Sequence, residues 1–291
     1  MFTNSVVSYP NRGNFGNNRY RGNCTGHIIV DLIETYLPAG GLFVDPAIGG
    51  GTSLDVANSM GIRYFCTDLH QGFDLVKDDL AKTVGEQADL VFFHAPYANM
   101  VVYSGHMWGK RGEPHEGDLS RMNDEQFVAA LQVCLFNISD SVKPGGHYGV
   151  LMGNQRRKGQ YINWSSLVER LAPDPLVDEI IKIQHNCVSD STQYQQKKLV
   201  RIAHEKLLVF KKRPESDVLT WLHHDHEALR ISVTQGIERA IRRILQCASF
   251  TSEQLVGLIL ARAPHYSKSL ILKVLKECPY IIYDNGYFRL K

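Results

Sequence analysis

Two rhythms of apolar residues run through this chain. Short apolar blocks without internal breakers read as strands: Gly41–Asp45, Arg63–Thr67, Asp89–Phe93, His147–Met152, Val177–Gln184 and His204–Lys211. Between them, apolar residues recur at helical spacing. Ile28, Ile29, Leu32, Ile33 and Tyr36 share one helix face that Thr25 opens as a cap and Pro38 closes. Leu54, Val56, Ala57 and Met60 mark a second helix, and Phe127, Ala130, Leu131, Cys134 and Leu135 a third from Asp124 to about Ser141. A further helix is expected over 161–172. Strand and helix alternate, which is the mark of an α/β sheet fold.

The pattern changes past residue 217. Helical spacing covers 226–247 (Leu229, Val233, Ile237, Ile241, Ile244, Leu245), resumes at Thr251 or Ser252, and appears a third time over Tyr266–Lys276 after Pro264. Two short strands then flank Asn285-Gly286, a strong hairpin signal. Three helices and a hairpin spell a winged helix-turn-helix. Lys211-Lys212-Arg213-Pro214-Glu215 marks the boundary, so the expected domains are 1–213 and 217–291. The asparagine-, glycine- and arginine-rich opening suits either a flexible tail over 1–18 or a loop with unusual backbone angles.

Composition narrows the class. With 291 residues, 44% hydrophobic and 21% charged, the chain can build a substantial core. No apolar run approaches the ~20 residues of a membrane helix, and the opening lacks a signal-peptide layout. Six scattered cysteines without a CxxC pair argue against structural zinc and disulfides, and for a cytoplasmic location. The net charge is only +2, so a nucleic-acid partner requires local basic patches.

Candidate chemistry gathers at strand ends. Pro46-Ala47-Ile48-Gly49-Gly50-Gly51-Thr52 joins a strand to a helix, bringing backbone N–H groups close to a ligand. Asp68 ends the next strand, placed to accept from ribose hydroxyls. Together they point to a site for an adenosine-containing ligand. The strand at Asp89 stops at His94-Ala95-Pro96-Tyr97, either a plain turn or a reaction site at a carboxyl end. A long polar loop with Tyr103, His106, Trp108, Lys110 and Arg111 follows. Arg156, Arg157 and Lys158 lie in a loop bounded by Gly153 and Gly159, and Lys197, Lys198 and Arg201 in the segment between the last two strands. His223-His224-Asp225-His226 reads as a solvated helix start rather than a metal site.

Asp45-Pro46-Ala47-Ile48-Gly49-Gly50-Gly51-Thr52 followed by His94-Ala95-Pro96-Tyr97 resembles the amino-group DNA methyltransferases that modify adenine N6 or cytosine N4. Arg21-Gly22-Asn23-Cys24-Thr25-Gly26, Lys143-Pro144-Gly145-Gly146 and the strand His204–Lys211 are similar to the phage and mobile-element branch of that family. The resemblance implies a Rossmann-like, seven-stranded class I methyltransferase sheet with its last strand antiparallel. It implies S-adenosylmethionine held by Asn23, Asp45, Ala47, Gly49, Gly51, Thr52 and Asp68. The target amine would be held by His94 and the Ala95 carbonyl, with Pro96 shaping the turn and Tyr97 stacking on a base extruded from the duplex. DNA would be gripped by Arg156, Arg157, Lys158, Lys268 and Lys273. No metal is expected, and whether a second copy of the chain is also a partner stays open.

Two departures from the family pattern matter. His94 stands where an acid is usual and accepts only as neutral imidazole, so activity should fall through ~6.5 on acidification if the ring is unperturbed. Ala95 replaces a proline but keeps its carbonyl. An RNA guanine-N2 methyltransferase and a catalytically inactive, methylase-like DNA-binding regulator are the alternatives.

Overall fold

The computed structural model describes residues 1–96, 98–100, 102–103, 115, 117–185, 199–214, 234–262 and 267–291. The chain divides into two compact units, Met1–Val218 and Leu219–Lys291.

The first unit is mixed α/β, built on a seven-stranded sheet. In chain order its elements are β1 (Val6–Ser8), α1 (Gly26–Tyr36), β2 (Leu42–Asp45), α2 (Thr52–Met60), β3 (Arg63–Cys66), α3 (Leu80–Val84) and β4 (Ala88–Phe93). Then come α4 (Asp124–Ser141), β5 (Val142–Gly153), β6 (Gln155–Arg157), β7 (Gln160–Ile162), α5 (Trp164–Leu171), β8 (Leu176–Ile183) and β9 (His204–Lys211). The strand order is β1-β8-β9-β5-β4-β2-β3. β9 runs antiparallel to both of its neighbours, and every other pairing is parallel.

The apolar blocks are continuous because both sheet faces are covered. In β4, Val91 and Phe93 join a core with α4 and α5, while Leu90 and Phe92 join a second core with α1 and α2. β9 divides the same way, Leu208 and Phe210 to one core and Leu207 and Val209 to the other. Helix ends follow local rules. Thr25 caps α1, and Asn123 and Gln126 form a reciprocal capping box on α4.

Two expectations change. Residues 1–18 are not a simple tail: Val6–Ser8 pairs in parallel with β8, Val6 opposite Ile181, and supplies an edge strand. Its three residues are too few to signal a strand, and its partner is remote in sequence. The basic loop around Arg156 is a hairpin, β6 with β7, turned by Lys158 and Gly159, both at positive φ (49° and 81°). A mirror-type two-residue turn suits a twisted ribbon, so the helix expected from 161 begins only at Trp164.

The second unit has a helix α6, described over 234–245, then α7 (Ser252–Arg262), α8 (Lys268–Glu277), and a hairpin of β10 (Ile281–Asp284) and β11 (Tyr287–Leu290). Asn285 and Gly286 sit at positive φ in its turn, and Phe250 makes a bridge to Phe288. Ile237, Ile241, Leu255, Ile259, Ile271 and Val274 fill a core of its own. The 223–226 histidine cluster, the start of the helix expected from 226, Pro264 and Tyr266 lie outside the described residues.

Candidate active site

Because β2, β3, β4 and β5 are parallel, their carboxyl ends share one edge, and the sheet changes winding direction between β2 and β4. Ligand sites in such sheets form at that crevice. Here it is a cleft of ≈ 800 Å³ counting its open mouth, lined by the glycine turn, Asp68, His94 and Pro96.

The glycine turn is fixed from below. Asp45, 2% exposed at the end of β2, accepts from Ala47 N at 2.9 Å and from the Ser53 hydroxyl. Burial pushes its carboxyl up to about 7, against the pull of the Ser53 and Ala47 hydrogen bonds. Gly49 and Gly51 take φ of 46° and 82°, conformations that side-chain-bearing residues resist, and Gly51 opens α2. Asp68 ties the end of β3 to the turn: Oδ2 accepts from Gly49 N at 2.8 Å and Oδ1 from His70 N at 3.1 Å. Each oxygen keeps a lone pair for a ligand hydroxyl.

The turn is also covered from above by the amino-terminal segment. Asn17 N donates to Gly50 O at 2.8 Å, Gly16 N donates to Asp55 at 2.8 Å, and Thr52 donates to the Asn23 side chain. A Cβ at Gly49 would come within 2.9 Å of the Tyr20 ring. The close approach that these glycines permit is thus already used, by the chain itself.

On the other side of the cleft stand His94 and Pro96, while Ala95 is buried in the core beneath them. Burial pushes His94 down to about 4, opposed by the Glu205 carboxylate and reinforced by the Lys182 ammonium. Those two charges form a buried pair, Lys182 Nζ to Glu205 Oε2 at 2.6 Å. Neutral imidazole is therefore the resting form, and the expected titration near ~6.5 is replaced by one far lower.

Of the residues expected to hold a cofactor, Asn23, Ala47, Gly49 and Asp68 line the cleft, while Asp45, Gly51 and Thr52 do not. Tyr97 lies outside the described residues, as do His106, Trp108, Lys110, Arg111, Lys197 and Lys198. Arg157 pairs with Asp124 through both of its terminal nitrogens, and Arg156 lies over the Tyr161 ring at 5.4 Å. Lys268 and Lys273 are exposed on α8 of the second unit.

Sequence reasoning missed Tyr20, His70, Asp74 and Asp118 as lining residues. Asp74 is 6% exposed and its Oδ2 has no hydrogen-bond partner among the described residues. Nothing in its local sequence, Gly72-Phe73-Asp74, distinguishes it from a surface turn; only burial does. Three carboxylates, Asp68, Asp74 and Asp118, face the cleft, and no lysine or arginine is among its described lining.

No family model and no curated protein sequence matches the chain. Among solved structures, TrmN from Thermus thermophilus is similar at 13% identity, over 65% of this chain and 48% of that one, with a TM-score of 0.34. A candidate DNA modification methylase, also from Thermus thermophilus and complexed with S-adenosyl-L-methionine, is similar at 15% identity over 59% and 56%, with a TM-score of 0.31. A methyltransferase from Pyrococcus furiosus is similar at 13% identity over 68% and 87%, with a TM-score of 0.36. The chain spans about half the length of the first two. Likeness at this level assigns no residue a role.

Proposed function

We propose that the chain is an S-adenosylmethionine-dependent methyltransferase acting on an exocyclic base amine of DNA, adenine N6 before cytosine N4. The observation that carries the cofactor part of this reading is the cleft's charge, and the base-amine part rests on the resemblance at His94-Ala95-Pro96-Tyr97. A pyrophosphate-bearing dinucleotide would meet three carboxylates and no lysine or arginine in the described lining. Lys77 stands 3.9 Å from Asp74 and Arg121 3.6 Å from Asp118, which offsets part of that charge and leaves Asp68 as the carboxylate that most favours a cationic sulfonium. Asp74 Oδ2 has the Lys77 ammonium 3.9 Å away but no hydrogen-bond donor among the described residues, and the amine of an adenine moiety would supply one.

When bound, S-adenosylmethionine would supply a methyl group already activated on a sulfonium. The chain's residues do the rest by positioning. Asp68 would accept from the ribose hydroxyls, and Asp74 from the adenine amine. His94 and the Ala95 carbonyl accept hydrogens from the target amine and aim its lone pair. Because His94 is neutral, it accepts rather than repels those hydrogens.

We read the second unit as a winged helix that contributes DNA affinity. The order of three helices and a hairpin, the Phe250–Phe288 bridge and the exposed Lys268, Lys273 and Lys276 on α8 support this.

Nucleoside mass spectrometry after incubating DNA and tRNA with the protein and deuterated S-adenosylmethionine tests the reading. N6-methyladenine in DNA is the expected product. Label only in tRNA guanine would move the chain to RNA, and cofactor binding without any label would make it a regulator.

A further inference from the structure

Tyr20 roofs the glycine turn. Its ring stands 5.6 Å from the Tyr103 ring and 6.4 Å from that of His70, and its hydroxyl lies 3.3 Å from His70 Nε2. A Cβ at Gly50 would meet Tyr20 Cβ at 2.9 Å, so the side chain is seated on the turn itself. Tyr20 and Tyr103 both line the cleft that also holds His94 and Pro96. A methyl group passed from a ligand on the turn to an amine at His94 must cross the space these rings border.

We propose that Tyr20 and Tyr103 form a charge-sensing wall, which holds the sulfonium of the methyl donor and releases the neutral thioether product. The proposal rests on the cofactor reading above. The face of an aromatic ring is negative and attracts a cation placed against it. Asp68 adds to the same potential, and Asp74 and Asp118 add less because Lys77 and Arg121 stand beside them at 3.9 and 3.6 Å. Methyl transfer forms a C–N bond to the target amine, which sheds one proton to solvent, and leaves the electron pair of the broken C–S bond on sulfur. The product has therefore lost the charge but none of its ribose or adenine contacts. Contacts from Asp68 and Asp74 then hold donor and product equally, and only the charge-dependent part distinguishes them. Without that part the product would compete with the donor on equal terms.

Calorimetry on the full chain tests this with S-adenosylmethionine and S-adenosylhomocysteine, using wild type, Tyr20→Phe, Tyr20→Leu and Tyr103→Leu. The wild type should bind the sulfonium more tightly, and Tyr20→Phe should keep that preference because it keeps the ring. Tyr20→Leu should reduce the preference by roughly fivefold. Any loss shared by both ligands reports instead on Tyr20's seat on the turn. Tyr103→Leu should reduce the same ratio, and it decides the matter if Tyr20→Leu does not fold. Leucine variants with the wild-type ratio would overturn the charge-sensing wall and leave the cofactor reading standing. A wild type that binds neither ligand would remove both.

Discussion

At the scale of single residues, burial decides the chemistry. His94 is the clearest case. With its ring pushed down to about 4, methyl transfer should stay level from about pH 8 to about pH 5 and fall only below that. A pH–rate profile with a break near ~6.5 would mean that the ring is not buried in solution. The same shift acts on stability. The unfolded chain takes up this proton more readily than the native one, so His94 withdraws stability as pH falls from about 6.5 toward about 4. Asp45 acts with the opposite sign. Its native pKa is raised to about 7, so its contribution is full in acid and is lost as pH rises from about 4 to about 7. Asp45→Asn should therefore lower Tm more at pH 4 than at pH 8, and a pH-independent difference in melting curves would contradict the shift. Asp68→Asn keeps the shape but weakens a charge-assisted acceptor. It should reduce cofactor affinity by ~1–3 kcal/mol, read by calorimetry.

At the scale of elements, what was legible depended on whether the signal was local. β2, β4 and β9 announced themselves as unbroken apolar blocks, and α1 and α4 through spacing and caps, because both faces of the sheet and one face of each helix are buried. The glycine turn and Asp68 were legible for a similar reason: one strand–turn–helix unit carries them. β1 was not, since three residues at a sheet edge need only be extended and the partner that fixes them is β8. Tyr20 and Asp74 were also hidden, because neither lines the cleft until the chain folds back on itself. The β6–β7 hairpin shows how a local reading can find the charges and miss their duties. Arg157 is engaged by Asp124, whereas Lys158 stands at the hairpin turn. Lys158→Ala should weaken DNA binding about equally across sequences and reduce the salt slope by about one. Arg157→Ala should act first on the stability of the hairpin, seen as a lower Tm, with a smaller change in the salt slope.

At the scale of the whole molecule, the chain divides into two compact units, and the proposed function gives each its own task. Residues 217–291 carry ten Lys/Arg and seven Asp/Glu, a surplus of three positive charges. A chain truncated after Val218 should keep its affinity for S-adenosylmethionine and lose affinity for DNA, with a shallower salt dependence. Equal DNA affinity in the truncated and full chains would give the second unit another task. The place of β1 has a consequence for how the protein is made. Ile181 is synthesised 175 residues after Val6 (181 − 6), which at cellular elongation rates is roughly 9 to 35 s. The residues that follow β1 reach their seat sooner, since Asn17 needs only Gly50, and Gly16 only Asp55. During synthesis the partners of Asn17 and Gly16 are thus available well before the partner of Val6 is. Until β8 emerges, β1 has no neighbouring strand to close the sheet with.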